Sequence, residues 1–206
     1  MLAPLEALEQ LQVGNRRFTE GRQSHKDIVS FAGHGTDISG QSPFAIIIGC
    51  SDSRVPAEII FDQGIGDLFV IRVAGNVVAP SQVGSVEFAA ERFGTRLVVV
   101  LGHSFCGAVE ATLEELKRPT ENRSPNLTSI VERIRPSVEK LMSSEVSADA
   151  DALLRAAVRE NVRSSVNQLR RGSAILEQMI ESGRVHVVGA EYSLMTGLVD
   201  FFDGIV

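Results

Sequence analysis

Aromatic residues are scarce in this chain of 206 residues: they make up 5% of the sequence, with no tryptophan and a single tyrosine. The core of the protein therefore has to be filled mainly by Val, Ile, Leu and Ala. Short runs of such residues are typical of parallel strands whose two faces are both covered by helices. The length is sufficient for one α/β domain with a full core.

Basic residues are also in deficit, with 20 Lys and Arg against 26 Asp and Glu and a net charge of −6. A nucleic-acid-binding surface usually shows a clustered basic excess, so we expect no nucleic-acid partner. No long uninterrupted apolar run occurs, and no basic segment followed by an apolar stretch opens the chain, so we expect no membrane partner. The expectation is a cytoplasmic protein that acts on a small neutral or anionic substrate.

The chain has only two cysteines, and each lies close to the end of a short apolar run. Cys50 directly follows the run FAIIIG, and His103 directly follows the run LVVVLG, with Cys106 a few residues later. Functional groups of open α/β sheets gather where the strands end. Two buried free thiols would be ordinary in a cytosolic protein. Because His103 accompanies the cysteines at such strand ends, we expect a metal site instead.

Two thiolates and one imidazole supply three corners of a zinc tetrahedron, and a set of three protein ligands is typical of catalytic zinc. Asp52 is the residue best placed in sequence to take the fourth position. The guanidinium of Arg54 can hold a carboxylate by paired hydrogen bonds. This predicts a switch. While Arg54 holds the carboxylate of Asp52, the fourth position on the zinc is open, and when Asp52 is released from Arg54 its carboxylate occupies that position and closes the site.

Hydrophobic spacing and turn residues predict a single domain over residues 1–206, with an N-terminal helical arm and loop over 1–35 and an α/β core over 36–206. The core is predicted to be a mostly parallel sheet of about four parallel strands and an antiparallel edge strand, flanked by helices. Two local breaks are expected: Gly14 loosens or ends the first helix, and Pro136 interrupts a helix over 127–142.

The motif from Cys50 to Arg54, CSDSR, together with the downstream HSFCG that ends at Gly107, resembles the β-class carbonic anhydrases. Further segments resemble segments of the family and occur in the same order: QSP, GDLFVIR, AGN and SVEFA. The resemblance covers residues 2–200. The resemblance implies one zinc ion per chain, bound by Cys50, His103 and Cys106. It also implies reversible hydration of carbon dioxide to bicarbonate and a proton by zinc-bound hydroxide, with Asp52 and Arg54 gating the metal and orienting the water.

The resemblance further implies a substrate pocket and an oligomer. Gln41 would be an amide donor to bicarbonate, Gly107 would lie beside the metal, and the apolar walls would be Phe69, Ala74 and Phe88. A homodimer or homotetramer is expected, in which the first helix, with Leu5, Leu8 and Leu11, lies across a neighbouring subunit. Gln41 and Phe88 could then be supplied across the interface.

Some members of the family carry a non-catalytic bicarbonate pocket. Arg72 and Tyr192 match that pocket here, but Ile47 stands where those members have a tryptophan.

Three other functions remain open on the residues alone. Cys50 could be a nucleophile beside an oxyanion-binding Arg54, although their interval is shorter than in thiol phosphatases and His103 would then have no role. The same zinc site could hydrolyse carbonyl sulfide or carbon disulfide. A non-enzymatic structural zinc site is the third, and it requires that Asp52 never leaves the metal, because structural sites are closed by four protein ligands.

Overall fold

The computed structural model describes residues 2–24, 40–119 and 124–205 of the chain. One sheet of five strands runs through this part, in the order β2-β1-β3-β4-β5. The strands are β1 Ala45–Gly49, β2 Leu68–Arg72, β3 Leu97–His103, β4 His186–Tyr192 and β5 Val199–Asp203. The first four are parallel and β5 is antiparallel to β4, which confirms the predicted α/β fold class. The expected boundary between residues 35 and 36 lies outside the described residues.

Helices flank the sheet on both faces. They are α1 Pro4–Thr19, α2 Ala57–Ile60, α3 Pro80–Phe93, α4 Gly107–Lys117, α5 Pro125–Met142, α6 Ala150–Arg171 and α7 Ala174–Glu181. Two short 3₁₀ turns, Ala74–Asn76 and Glu145–Ala148, were not predicted, and neither was α2. Among the described helices none is long and apolar enough to cross a membrane.

The two central strands, β1 and β3, are buried at every position. Alternate residues of β1 point to opposite faces, as the period of a strand requires. Ala45 and Ile47 pack in one cluster with Leu8 and Leu11 of α1. Residues of the opposite face pack against α3, α6 and α7. This double coverage explains why β1 and β3 read as continuous apolar runs.

Helix α1 packs on the sheet of its own chain. Leu8 and Leu11 are buried there, whereas Leu5 is exposed. The expectation that all three leucines lie across a neighbouring subunit is therefore wrong for Leu8 and Leu11. The side chain of Asn15 fixes the end of α1 to the sheet, because its amide oxygen accepts a hydrogen bond from the backbone N–H of Val199 at 2.9 Å.

Gly14 neither ends nor loosens α1, which continues to Thr19. A Cβ atom at this position would lie 1.7 Å from the carbonyl oxygen of Phe61. Glycine is required here because α1 and the end of α2 approach each other too closely for a side chain.

Pro136 does not interrupt α5, which is continuous from Pro125 to Met142. A proline inside a helix costs about 3 kcal/mol, partly because it removes one backbone hydrogen bond. Ile134 and Val138, on either side of Pro136, are fully buried against the metal-site region. Each such burial contributes about 1.5–3 kcal/mol, so the packing of this face outweighs the local cost of the proline.

We predict opposite effects for alanine at two helical glycines. Gly14→Ala should lower the free energy of unfolding by about 1–3 kcal/mol or more, because its Cβ collides with backbone. Gly84→Ala in α3, where no atom of the described residues lies within 4 Å of the new Cβ, should raise it by about 0.5–1 kcal/mol. Urea unfolding followed by circular dichroism at one protein concentration measures both. A Gly14→Ala protein as stable as the parent would contradict the described packing of α1.

Candidate metal centre

Three potential metal ligands converge at the carboxyl ends of β1 and β3. The register pairs Gly49 with Leu101. Cys50, directly after β1, and His103, the last residue of β3, therefore lie at the same end of adjacent strands. Cys106 is the residue that precedes α4. The two Sγ atoms and a ring nitrogen of His103 all lie within 4.8 Å of one another, and all three residues are buried. The predicted meeting of these side chains is therefore present in the structure.

The chain between His103 and Cys106 reverses direction through an unusual backbone conformation. Phe105 has a φ of 57°, in the left-handed region that non-glycine residues seldom adopt. Ser104 anchors the reversal to the end of β4: its N–H donates to the carbonyl of Tyr192 at 3.0 Å, and its Oγ accepts from the N–H of Leu194 at 2.9 Å. These bonds hold His103 and Cys106 on the same side of the loop.

The imidazole of His103 is oriented for metal binding. Its Nδ1 lies 3.0 Å from the carbonyl oxygen of Ser104 and donates a hydrogen to it, which leaves a lone pair on Nε2. Nε2 is buried and, among the described residues, has no hydrogen-bond partner. An unpaired buried polar atom is costly. A metal ion bound to Nε2 would remove this cost, so the residues present fit the metal.

The donor set suits zinc. Zinc binds thiolate sulfur at about 2.3 Å and imidazole nitrogen at about 2.0–2.1 Å, which gives tetrahedral ligand–ligand distances somewhat below 4 Å. The three donor atoms, within 4.8 Å of one another, need only small movements to reach this geometry.

The two thiols are hydrogen-bonded to each other. A hydrogen bond from the thiol of Cys106 lowers the pKa of Cys50, although burial opposes this effect. The hydrogen bond to Cys50 raises the pKa of Cys106, and burial raises it further. The pair therefore loses one proton readily and retains the second. A divalent cation between the sulfurs would take the place of that second proton.

Asp52 and Arg54 form a bidentate pair beside the ligands. Nε and Nη2 of Arg54 donate to Oδ1 and Oδ2 of Asp52 at 2.9 and 2.7 Å, and the backbone N–H of Arg54 donates to Oδ1 at 3.0 Å. These hydrogen bonds hold the pKa of the Asp52 carboxyl well below its usual range. Oδ2 of Asp52 lies 3.9 Å from Nε2 of His103. An ionised carboxylate thus stands next to the ligand set while Arg54 engages it.

Arg72 has a part in this loop that the sequence did not reveal. Its Nε donates to the carbonyl of Cys50 at 3.1 Å, and its Nη2 donates to the carbonyl of Asp52 at 2.6 Å. Its position opposite Gly49 in the sheet brings it there. The guanidinium considered for a bicarbonate pocket is therefore engaged with the metal loop, while Ile47 and Tyr192 belong to a buried cluster.

The expected pocket residues fall into two groups. Ala74 begins the 3₁₀ turn that contacts Cys50, and Gly107 is the first residue of α4 after Cys106. Phe69 and Phe88 instead contact each other, with ring centroids 6.4 Å apart. Phe69 pairs with Ile46, so it lies about 13 Å before the level of Cys50 along the sheet.

Gln41 belongs to the second group. It is exposed and precedes Pro43, whose carbonyl accepts a hydrogen bond from Thr95 before β3 begins. Within one chain the structure therefore brings Ala74 and Gly107 beside the ligands, but not Gln41, Phe69 or Phe88.

Comparison with known proteins agrees with this geometry. A family model described as carbonic anhydrase matches residues 45–199. A carbonic anhydrase from Mycolicibacterium smegmatis is 38% identical over 197 residues, covering 96% of this chain and 92% of the relative. Carbonic anhydrase 2 of Mycobacterium tuberculosis is 39% identical over 197 residues, covering 94% and 90%.

Solved structures show the same likeness. The β-carbonic anhydrase CafA of Aspergillus fumigatus superposes with a TM-score of 0.72 at 26% identity, covering 98% of this chain and 91% of that chain. A β-carbonic anhydrase from Sordaria macrospora, described as tetrameric, superposes with a TM-score of 0.70 at 23% identity, covering 92% and 94%. The chain belongs to the β-carbonic anhydrase family, and it is an enzyme of the lyase class.

We predict that His103→Gln abolishes metal binding, because it removes the buried Nε2 that faces the two sulfurs, and that Cys106→Ser does the same. His186→Gln is the matched control: its ring nitrogen contacts the carbonyl of Gly204 and does not belong to the cluster. Elemental analysis after dialysis against zinc should give one ion per chain for the parent and the control. Stoichiometric zinc in the His103→Gln protein would contradict the assignment of the ligands.

Proposed function

We propose that this protein catalyses the zinc-dependent, reversible hydration of carbon dioxide to bicarbonate and a proton. The observation that carries the proposal is a buried set of two thiols and one imidazole nitrogen that has no hydrogen-bond partner in residues 2–24, 40–119 and 124–205, beside a carboxylate that Arg54 engages. Zinc bound by Cys50, His103 and Cys106 would act as a Lewis acid that lowers the pKa of a water molecule and so provides the nucleophile. Three protein ligands leave a fourth position for that water.

The Asp52 carboxylate would orient the nucleophile. Its Oδ2 is near the ligand set, 3.9 Å from Nε2 of His103, and can accept a hydrogen bond from water at the open position. Accepting that bond points an oxygen lone pair of the water toward carbon dioxide. Because Arg54 holds the pKa of Asp52 below its usual range, the carboxylate stays ionised around neutral pH and remains an acceptor.

Arg54 would also keep Asp52 off the metal. An ionised carboxylate this close to the ligands could itself fill the fourth position, and that would exclude water. The bidentate hydrogen bonds from Arg54 compete with such binding. Lower pH reduces the hydroxide that competes with Asp52 for the metal, so acid should favour the closed arrangement without any protonation of Asp52.

The walls of the carbon dioxide pocket would come from two subunits of a homodimer or homotetramer. Ala74 and Gly107 lie beside the ligands of their own chain. Phe69, Phe88 and Phe93 form an aromatic cluster at the edge of the sheet, and 52% of Phe88 is exposed. Exposed aromatic clusters of this kind mark interaction sites. Together with Gln41 they would serve the metal centre of a neighbouring subunit, with Gln41 donating to bicarbonate.

A reducing compartment fits the proposed site. Both cysteines are free thiols in the structure, and both are needed as thiolates for zinc. Disulfides form and persist mainly in oxidising compartments, whereas cytosolic thiols stay reduced. We propose a cytoplasmic location on this ground.

We predict that Arg54→Ala retains zinc but loses carbon dioxide hydration by about 100-fold or more, on both sides of neutrality, because Asp52 is freed to bind the metal. Asp52→Asn should also retain zinc and lose turnover, since a neutral amide replaces the ionised acceptor. Arg135→Ala is the matched control, because Arg135 makes a similar exposed pair with Glu132 at 2.8 Å in α5. Stopped-flow hydration and zinc analysis measure these effects.

The crystal structure of Arg54→Ala distinguishes this explanation from a general loss of structure. It should show Asp52 bound to the zinc both below and above neutral pH. An Arg54→Ala protein with an open zinc site at acidic pH would contradict the gating role of Arg54.

We predict that two inactive variants complement each other in mixed oligomers. Arg54→Ala has intact pocket walls and an impaired metal centre, whereas Gln41→Ala combined with Phe88→Ala has impaired walls and an intact metal centre. Co-expression should restore part of the turnover, because some sites then combine an intact metal centre with intact walls. Turnover equal to the average of the two variants alone, or a fully active monomer by light scattering, would contradict the shared site.

A further inference from the structure

Two buried polar side chains of α6 hold the 3₁₀ turn Ala74–Asn76. Nδ2 of Asn161 donates a hydrogen bond to the carbonyl of Gly75 at 2.8 Å. Oγ of Ser165 donates to the carbonyl of Asn76 at 3.0 Å. Asn161 and Ser165 are one helical turn apart and so lie on the same face of α6. The two bonds hold consecutive carbonyl groups, those of the last two residues of the turn.

The turn contacts the metal centre directly. The backbone N–H of Gly75 donates a hydrogen bond to Sγ of Cys50 at 3.4 Å. Gly75 has a φ of 68°, and a Cβ atom there would lie 2.8 Å from Ile134 and 3.2 Å from Ala108. The turn is therefore packed between α4 and α5 and tied to α6. Its single donor toward the sulfur has little freedom to move.

Packing alone does not explain the two polar residues on this face of α6. Their neighbours on the helix, Val158, Val162 and Val166, are buried and apolar. A buried polar group without a partner costs about 1–3 kcal/mol, and a net hydrogen bond returns about 1 kcal/mol. Apolar residues at these two positions would pack against the core without the cost of burying polar groups. The hydrogen bonds from Asn161 and Ser165 to the Ala74–Asn76 turn therefore explain best why these residues are polar.

We propose that Asn161 and Ser165 are positioning residues of the metal centre, which act through the Gly75–Asn76 turn on the Cys50 thiolate. A fixed N–H donor draws electron density from the sulfur and sets its direction toward the metal. Groups that orient metal ligands in this way change metal affinity by about 10–100-fold when they are removed. The proposal rests on the metal site of the proposed function but not on turnover.

Zinc affinity of the folded protein tests the proposal. Asn161→Ala should weaken zinc binding by about 10–100-fold, measured by competition with a chromophoric chelator. Ser165→Ala should weaken it less, because Ser165 holds Asn76 rather than the residue that contacts the sulfur. In the cobalt-substituted protein both variants should shift the thiolate-to-cobalt charge-transfer absorption, which a purely structural role would leave unchanged.

Two control variants separate positioning from stability. Asn15→Ala removes another buried amide that bonds backbone, at Ile60, Gly197 and Val199, none of which belongs to the ligand cluster or to the Ala74–Asn76 turn. It should lower stability while zinc affinity and the cobalt spectrum stay as in the parent. Ser165→Thr keeps the hydroxyl donor and should bind zinc more tightly than Ser165→Ala.

Parental zinc affinity and an unchanged cobalt spectrum in folded Asn161→Ala and Ser165→Ala would overturn the proposal. If Asn161→Ala does not fold, equal affinities of Ser165→Ala and Ser165→Thr overturn it instead. Affinity is measured without substrate. A zinc-loaded parent that fails to hydrate carbon dioxide would therefore contradict the proposed function and leave this comparison intact.

Discussion

The parallel pairing of β1 with β3 is the constraint on which the metal centre depends. Parallel neighbours end at the same edge of a sheet, and the pairing of Gly49 with Leu101 brings Cys50 beside His103 there. The two faces of these strands pack against different helices, α1 on one face and α3, α6 and α7 on the other, and this packing specifies the register. A slip of one residue would exchange the two faces of a strand and separate the ligands. The packing of the apolar core therefore determines the positions of the metal ligands.

Hydrogen bonds within the site leave one position for a metal ion. His103 uses Nδ1 on the carbonyl of Ser104, Cys50 accepts from Gly75, and Arg54 engages the carboxylate of Asp52. Nε2 of His103 is buried, has no partner within the described part of the chain and lies close to both sulfurs. Because the neighbouring polar groups already have partners, the unsatisfied bonding capacity is concentrated where a tetrahedral cation would lie. The same arrangement keeps a carboxylate available but engaged elsewhere.

Local patterns were sufficient for part of this structure. Apolar runs predict the strands that lead to Cys50 and His103. Features that depend on distant contacts could not be predicted: Gly14 is explained by the carbonyl of Phe61, and the continuity of α5 through Pro136 by tertiary packing. The resemblance implied candidate pocket residues but not their distance from the ligands. Asn161 and Ser165 were hidden within an apolar helical stripe.

Zinc titration of metal-depleted protein, followed by stopped-flow carbon dioxide hydration, tests the central claim most directly. If the three-ligand site is the catalytic centre, turnover should be absent without metal, rise in proportion to bound zinc and stop rising at one ion per chain. Full turnover in protein shown to be metal-free would contradict a metal mechanism. Fully zinc-loaded protein without turnover would show that the site serves structure alone.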